Sequence, residues 1–306
     1  MADIDISVVI PVYNSGTILP ELSSRLMEVM EGTGKKYELI FCDDCSRDNS
    51  WDVLRQIKEG NPGIITAIQL SKNYGQHNAT LCGMSFARGK LVVTMDDDLQ
   101  HPPDELPALL EAIDDPGIDV VYGTFRKKSH SMVRNAGSYS VRKASKHFLK
   151  GKGKGSSFRV IDRTIVDKIL EHRQYFIFID ELILWYTDNI SFVNVRHDKR
   201  KYSKSNYTGG RIWKLFSNLV FFYTSFPLKM MVYGGFVISV LTFLLGLQFI
   251  LRKIFLDLPL GYASVIVAIL FSTSIIILSL GIIGEYLRRM HQIQNNRPPF
   301  NIHKVL

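Results

Sequence analysis

The chain has 306 residues, a hydrophobic fraction of 46% and a formal net charge of +8 at pH 7. This length allows one large domain with a smaller part, or two domains. The basic charge comes without a nucleic-acid-binding signature, which argues against that class of partner and favours a domain lying against anionic lipid. We expect no secretory signal peptide, because the acidic N-terminus leads directly into an apolar run.

Residues 1–125 alternate short apolar runs with amphipathic segments. Apolar runs bounded by turn residues predict buried strands, and apolar residues at helical spacing predict helices. Strands are predicted over 6–10, 37–42, 66–70, 91–95 and 119–124. Helices are predicted over 17–31, 50–59, 76–88 and 103–113, the third of them closed by Gly89. This alternation is typical of an α/β domain with a mainly parallel sheet and helices on both faces.

Polar side chains follow three of these strands where each strand ends: Asn14, then Asp43 and Asp44, then the triplet 96–98. If the strands are parallel, these ends line one crevice, where open α/β sheets bind their ligands. Three adjacent carboxylates repel one another, so a cation among them is favoured, and their hard oxygens suit Mg²⁺ or Mn²⁺. The alternative is an acidic loop before a helix that opens at Pro102. The triplet alone leaves both interpretations open.

The second half of the chain is first basic and then strongly apolar. Residues 126–159 carry almost no acidic side chain, and this run is either a solvated helix face or a surface for lipid headgroups or an anionic substrate. Two apolar stretches follow, 230–251 and 262–287, joined by charges, Pro and Gly over 252–261. Each stretch approaches or exceeds the roughly 20 residues that cross a bilayer. We therefore predict a transmembrane helical hairpin, with a buried hairpin of a soluble domain as the alternative.

These patterns predict three parts: an α/β domain over 1–210, an interfacial amphipathic helix over 211–228, and the hairpin with its tail over 229–306. Both ends of a hairpin lie on one side of the membrane, so the large domain and the tail share that side. The Lys and Arg residues that flank the hairpin outnumber those between its helices. The positive-inside rule then places the domain and the tail in the cytoplasm, on the inner membrane of the cell.

Motifs follow the first four predicted strands in order. They are residues 11–14 (PVYN), 43–48 (DDCSRD), 73–77 (NYGQH) and 96–103 (DDDLQHPP), and residues 200–207 (RKYSKSNY) lie further on. Each is a weak signal alone. In this order, and with the apolar hairpin behind them, they resemble the motifs of family 2 glycosyltransferases, specifically the membrane-anchored branch that acts on polyprenyl phosphates. The resemblance covers essentially the whole chain.

The resemblance implies a GT-A fold that binds a nucleotide-sugar in the crevice with Mg²⁺ or Mn²⁺. It implies nucleotide-sugar binding by Pro11, Tyr13, Asn14, Asp44, Asp96, Arg200, Lys204 and Ser205. It implies catalytic parts for Asp96, Asp98 and Arg200, and metal binding by Asp98 and Gln100. The candidates for holding the acceptor phosphate are the basic residues Arg126, Lys128, Arg134 and Arg159. Asp97 stands where relatives often have Ala, so we expect Asp97→Ala to be tolerated.

The chain departs from the family pattern at two positions. Asn206 stands where Lys is common, and Ser157 stands where relatives commonly carry an Asp that is assigned as the base. A lipid monophosphate has a second pKa of about 6 and is largely a dianion at pH 7, so it attacks without a strong base. We therefore predict that Ser157 is a spectator, with Asp180 and Glu181 as the fallback candidates for a base.

The sequence thus predicts an inverting, non-processive enzyme that transfers one sugar from a nucleotide-sugar, expected to be a UDP-sugar, to a polyprenyl phosphate such as undecaprenyl phosphate. A processive membrane polysaccharide synthase is the enzymatic alternative, but the Gln-x-x-Arg-Trp motif and the further spans of that class are not visible in the sequence. A catalytically inactive membrane scaffold of the same fold is the alternative from another class. The lone hairpin and the family resemblance also favour a homo-oligomer.

Overall fold

The computed structural model describes residues 4–125, 156–172, 178–196, 262–294 and 298–306, with scattered helical positions between 230 and 255. The strands are β1 (Ile6–Val12), β2 (Tyr37–Asp43), β3 (Ile65–Leu70), β4 (Leu91–Thr94), β5 (Val120–Phe125), β6 (Arg159–Asp162), β7 (Ile190–Val195) and β8 (Ile302–Val305). The helices are α1 (Leu19–Gly32), α2 (Ser50–Gly60), α3 (Gln76–Phe86), α4 (Leu106–Ile113), α5 (Arg163–Leu170), α6 (Ile179–Tyr186) and α7 (Tyr262–Gln294).

The strands of the described residues form one mixed sheet in the order β7-β5-β6-β4-β1-β2-β3-β8. The central strands β4, β1, β2 and β3 run parallel, and Ile6 of β1 aligns with Tyr37 of β2 and with Leu91 of β4. β5 and β7 also pair in parallel, whereas β6 and β8 run antiparallel to their neighbours, so the predicted parallel arrangement holds except at these two strands. Because the central strands are parallel, the carboxyl ends of β1 to β4 share one edge.

Apolar clusters pack against both faces of this sheet. On one face the helices contribute Leu22 and Leu26 of α1, Leu54 of α2 and Leu109 of α4. On the other face they contribute Met84 of α3, Ile165 and Val166 of α5 and Leu182 of α6. Each fully buried Leu, Ile or Met side chain stabilises the fold by about 1.5–3 kcal/mol. This layered core fixes the strand ends on which the site is built.

The last residues of the chain return to the sheet as β8, a strand that the sequence analysis did not predict. Its antiparallel pairing with β3 is extended by Leu306, which exchanges backbone hydrogen bonds of 2.8 and 3.2 Å with Ala67. The N–H of Ser71 also donates to the carbonyl of Asn301 over 2.9 Å. Phe300 packs against the apolar cluster on the α3 face. β8 therefore covers an edge of β3 that would otherwise present unpaired backbone groups.

Helix α3 ends earlier than predicted, at Phe86, because Ala87 takes an extended conformation (φ −64°, ψ 134°). The prediction that Gly89 closes this helix is therefore wrong. A Cβ atom at Gly89 would lie 2.6 Å from the backbone nitrogen of Ser7, so glycine is needed here for a close approach to β1. The helix predicted over 103–113 is a 3₁₀ turn, Pro103–Glu105, followed by α4.

Helix α7 belongs to a second compact unit, Tyr207–Asn295. Large apolar side chains on it are exposed, among them Val265, Ile269, Phe271, Ile277, Leu278 and Leu280. Over the residues that the structure describes, no helix combines the length and the apolar character that a membrane crossing demands. Much of the first predicted span, 230–251, lies outside the described residues.

Candidate active site

The ends of β1, β2 and β4 each pass into a residue with a left-handed backbone, at Asn14 (φ 55°), Cys45 (φ 58°) and Leu99 (φ 57°). Such a conformation is uncommon for residues other than glycine, and least expected for a bulky one such as Leu99. Leu99 keeps it because its side chain is buried in the core, only 3% exposed. Strained backbone of this kind clusters at functional sites. Here one such residue lies in each of the three polar loops that border the crevice.

Hydrogen bonds join these loops to one another. The N–H of Asn14 donates to Ser46 Oγ over 2.9 Å, and the Arg47 N–H donates to Asn14 Oδ1 over 2.8 Å. These bonds tie the end of β1 to the end of β2. Tyr13, next to Asn14, leaves 36% of its surface exposed. Its ring is therefore open to a flat ligand at the rim of the crevice.

Asp97 ties the end of β4 to the end of β1. Its Oδ2 accepts from the Tyr13 N–H over 3.1 Å and from Ser15 Oγ over 2.6 Å. Burial raises the pKa of the Asp97 carboxyl, the two hydrogen bonds lower it and the charges of Asp96 and Asp98 raise it, and the resulting pKa is about 6. Asp97 thus joins the two strand ends, which argues against the expectation that Asp97→Ala is tolerated.

Asp44 ties the end of β2 to the loop that follows β3. Its Oδ1 accepts from the Tyr74 N–H over 2.6 Å, and its Oδ2 accepts from the Gly75 N–H over 2.8 Å. The residue is 3% exposed, and burial raises the pKa of its carboxyl to about 6 against the lowering effect of both hydrogen bonds. Each oxygen already holds one backbone partner, so a ligand N–H would have to use the remaining lone pairs.

Asp96 is approached from two other elements. Gln76, the first residue of α3, donates from Nε2 to Asp96 Oδ1, and Ser157 donates from Oγ to Asp96 Oδ2 over 2.6 Å. Ser157 precedes β6, which pairs with β4. The Ser157 hydroxyl thus contacts a central carboxylate of the site, which argues against the prediction that Ser157 is a spectator.

Asp98 and Gln100 contact each other directly. Asp98 is 8% exposed, its Oδ1 accepts from the Gln100 N–H over 3.1 Å, and its Oδ2 accepts from Gln100 Nε2 over 2.8 Å. Within the described part of the chain, no group of three His, Cys, Asp or Glu side chains forms a complete metal site. The donor set fits Mg²⁺ or Mn²⁺ nonetheless, because such ions bind through one or two carboxylates and complete their shell with water and substrate phosphates. Rotation of the Gln100 amide would turn its oxygen to such an ion.

A small cavity of about 40 Å³ lies beneath Asp96. It is lined by Pro11, Gln76, His77, Thr80, Thr94, Met95, Asp96, Ser157 and Arg159. Burial lowers the pKa of His77, Asp180 raises it and Arg159 lowers it, and the resulting pKa is about 4, so this imidazole is neutral at pH 7. The cavity volume suits a water molecule or a small substituent.

Arg159 does not offer its charge to the crevice, as a phosphate ligand would. It is 2% exposed, it forms an ion pair with Asp180, and its Nε donates to Thr94 Oγ1 over 3.0 Å. Its charge is compensated inside the domain, which argues against the prediction that Arg159 binds the acceptor phosphate. The same ion pair, with a hydrogen bond from Tyr122 OH, engages the Asp180 carboxylate and argues against it as a free base.

The amino-acid sequence of this chain matches known proteins over nearly its whole length. The family Glycosyl transferase family 2 matches residues 7–170. The undecaprenyl-phosphate 4-deoxy-4-formamido-L-arabinose transferase of Enterobacter sp. (strain 638) is 33% identical over 315 residues, which cover 98% of this chain and 93% of that protein. The transferase of the same name from Pseudomonas aeruginosa (strain LESB58) is 35% identical over 312 residues, covering 98% and 90%.

This chain belongs to glycosyl transferase family 2. It is therefore a glycosyltransferase by family, as the motifs predicted. Among solved structures, a mannosyltransferase from Pyrobaculum calidifontis in complex with GDP-Man and Mn²⁺ superposes with a TM-score of 0.51 at 17% identity, covering 71% of this chain and 61% of that one. A mannosyl-3-phosphoglycerate synthase from Rubrobacter xylanophilus gives 0.51 at 15% identity, covering 76% and 75%. This likeness shows a GT-A-like mixed α/β fold.

For this family 2 glycosyltransferase, the structure gathers the predicted residues at the ends of β1, β2 and β4 at one edge of the sheet. Those that lie at this edge are Pro11, Tyr13, Asn14, Asp44, Asp96, Asp98 and Gln100. Others fall outside the described residues, and their predicted parts stay predictions: Arg126, Lys128, Arg134, Arg200, Lys204 and Ser205.

Two further side chains belong to the site although the motifs predicted no part for them: Gln76, which bonds to Asp96, and Ser15, which bonds to Asp97. Both stand within or directly after a motif of the family, and that position was the only signal in the sequence.

Proposed function

We propose that this protein transfers one sugar from a nucleotide-sugar to undecaprenyl phosphate, with inversion at the anomeric carbon and without further elongation. The observation that carries the proposal is the crevice formed by Asp96, Asp98 and Gln100 beside the ends of β1 and β2, in a chain 33% identical over 98% of its length to a named undecaprenyl-phosphate sugar transferase. A UDP-sugar is the donor that we expect first.

The donor would lie with its nucleotide toward β1 and β2 and its sugar toward Asp96. The exposed ring of Tyr13 can stack on a base, while Asn14 and Asp44 offer polar groups next to it. Asp97 turns toward Tyr13, whereas Asp96 turns the other way, toward Gln76. Because Asp96 lies away from Tyr13, we place the sugar hydroxyls on Asp96. Arg200, Lys204 and Ser205 remain the ligands proposed for the diphosphate.

Asp98 and Gln100 would hold a divalent cation, Mg²⁺ or Mn²⁺, next to the diphosphate. When bound, such an ion offsets the negative charge that develops on the leaving group. The support for this assignment is the pairing of a buried carboxylate with an amide on one tight turn. The same turn places both side chains at the carboxyl end of β4.

The acceptor chemistry explains why a strong base is not required. An oxygen of the lipid phosphate attacks the anomeric carbon while the bond from that carbon to the diphosphate breaks, and the nucleoside diphosphate leaves with the bonding electrons. The phosphate monoester is largely a dianion at pH 7, since its second pKa is about 6, so no proton has to be removed from it. Catalysis would then rest on positioning and charge compensation. Arg126, Lys128 and Arg134 remain the proposed ligands of the acceptor phosphate.

We also propose that the protein acts at the cytoplasmic face of the inner membrane, anchored by the hairpin predicted over 230–251 and 262–287. Two features support this placement: the apolar side chains that α7 exposes, and a lipid acceptor that resides in the bilayer. Retention of the protein in membranes washed with alkaline carbonate is the expected result, and its release into the wash would contradict the anchor.

A donor panel tests the function. Membranes that contain the protein are offered radiolabelled UDP- and GDP-sugars with added undecaprenyl phosphate, with and without EDTA, beside membranes with the Asp98→Ala variant. We expect label in the lipid fraction from one donor, which EDTA and Asp98→Ala abolish. Label in a polymer would instead indicate a processive synthase, and nucleotide binding without any transfer would indicate an inactive scaffold.

A further inference from the structure

Both carboxylate oxygens of Asp96 accept hydrogen bonds from elements that are distant in sequence. Ser157 Oγ donates to Oδ2 over 2.6 Å, and Gln76 Nε2 donates to Oδ1. Two donors on opposite oxygens fix the plane of a carboxylate that would otherwise rotate about its last side-chain bond. The direction in which Asp96 presents its remaining lone pairs is thus set by these two side chains.

Ser157 is itself held by a chain of hydrogen bonds that runs into the core. Its carbonyl oxygen accepts from Thr94 Oγ1 over 2.6 Å, and Thr94 Oγ1 accepts from Arg159 Nε over 3.0 Å. Arg159 is buried against Asp180, which also accepts from Tyr122 OH over 3.0 Å. The backbone of Ser157 is therefore held by hydrogen bonds that lead to the Arg159–Asp180 ion pair.

We propose that Ser157 is a positioning residue that orients Asp96 toward the donor sugar, with Gln76 as its counterpart on the other oxygen. The proposal rests on the proposed function, since it takes a sugar hydroxyl as the ligand of Asp96. The hydroxyl of Ser157 donates a hydrogen bond without adding charge, so the Asp96 carboxylate stays an acceptor for the ligand.

This arrangement predicts a selective defect in binding. Ser157 acts on the side of the crevice away from Tyr13, so its loss should weaken the affinity for a nucleotide-sugar and leave the affinity for the free nucleoside diphosphate unchanged. Hydrogen bonds to charged groups set the scale, and we expect Ser157→Ala to weaken the nucleotide-sugar about tenfold. A change that merely loosened the fold would weaken both ligands together.

The test measures the dissociation constants of UDP and of the UDP-sugar that wild type binds most tightly, on the full chain in detergent with Mn²⁺. Ser157→Ala is compared with Ser157→Thr, which keeps the hydroxyl, and with Ser156→Ala. Ser156 is a matched control because its Oγ contacts His101 and the Phe158 N–H and not Asp96. We expect Ser157→Ala alone to lower the ratio of UDP-sugar to UDP affinity, and Gln76→Leu, at an exposed helix start, to lower it in the same way.

Equal affinity of Ser157→Ala and wild type for the UDP-sugar would overturn the proposal, and so would parallel losses for UDP and UDP-sugar. If Ser157→Ala failed to fold, the Gln76→Leu ratio would decide. A wild-type protein that binds the UDP-sugar and transfers nothing to lipid would refute the proposed function, while the affinity ratios of the variants would still decide the role of Ser157.

Discussion

Asp97 and Asp44 should respond in opposite ways to the same substitution, Asp→Asn. Burial raises the pKa of each carboxyl to about 6. Asp97 uses a single oxygen, Oδ2, to accept from Tyr13 and Ser15. An Asn carbonyl oxygen can accept both bonds, so Asp97→Asn removes the buried charge and keeps the contacts. Asp44 uses one oxygen for each backbone N–H. In Asp44→Asn the side-chain NH₂ group would therefore face one of these N–H donors, which would lose its acceptor.

The magnitude follows from the pKa of Asp97, which rises from 3.8 to about 6. Below about pH 4 the carboxyl is protonated in the folded and the unfolded chain, so its charge does not affect stability. The folded state loses stability as the pH rises from about 4 to about 6. Above about pH 6 the full cost of the buried charge, at most about 3 kcal/mol, is present. Asp97→Asn removes that penalty. Asp44→Asn removes a similar penalty but loses a hydrogen bond to a charged group, about 1.5–3 kcal/mol, and leaves a buried donor unsatisfied at a further cost of about 1–3 kcal/mol.

The assay is thermal unfolding of the full chain in detergent with EDTA, at pH 5 and pH 8. We expect Asp97→Asn to raise the unfolding temperature at pH 8, and to raise it less at pH 5. Asp44→Asn should lower it at both values, and Asp97→Ala, which deletes both contacts, should also lower it. The reasoning would be refuted if Asp97→Asn were less stable than wild type at pH 8, or if both Asn variants shifted the temperature alike.

Three further substitutions or deletions test the fold. Deletion of residues 300–306 removes β8. Amide hydrogen exchange should then become faster along β3 and stay unchanged in β5. Unaltered exchange in β3 would contradict the pairing of β3 with β8. Gly89→Ala should lower the unfolding temperature because its Cβ would clash with the β1 backbone. Gly32→Ala should not, because the space around its Cβ is open. Equal effects of the two substitutions would contradict the packing argument. Arg159→Met should destabilise the domain, by at most about 3–5 kcal/mol, because it leaves the half-buried Asp180 carboxylate with the Tyr122 hydroxyl but without its cationic partner. A normal unfolding temperature with weakened acceptor binding would instead restore Arg159 as a phosphate ligand.

The strand ends of the site were predictable because each follows a short apolar run, a local pattern. The runs that end near Asn14, Asp44 and Asp96 place polar residues at one edge once the strands are parallel, as the structure has them. β8 was not predictable in the same way, because its four residues carry little pattern and its partner lies more than two hundred residues away in the chain.

The parts of individual side chains were harder to predict than the edge on which they lie. Arg159 sits at the end of a basic run, and its charge suggested a phosphate ligand, but burial against Asp180 is decided by tertiary packing. Asp97 was expected to be dispensable because relatives often have Ala there, and Ser157 was expected to be a spectator because a phosphate dianion needs no strong base. Their contacts with the β1 loop and with Asp96 cross 82 and 61 residues of sequence and arise only when the sheet is assembled.

The most direct test of the central claim is the mass of the lipid product formed by purified protein from undecaprenyl phosphate, Mn²⁺ and the donor found in the panel. We predict a single product, heavier than undecaprenyl phosphate by one sugar residue, which forms with wild type and with neither EDTA-treated protein nor Asp98→Ala. No lipid product, a ladder of products, or full activity of Asp98→Ala would contradict the account.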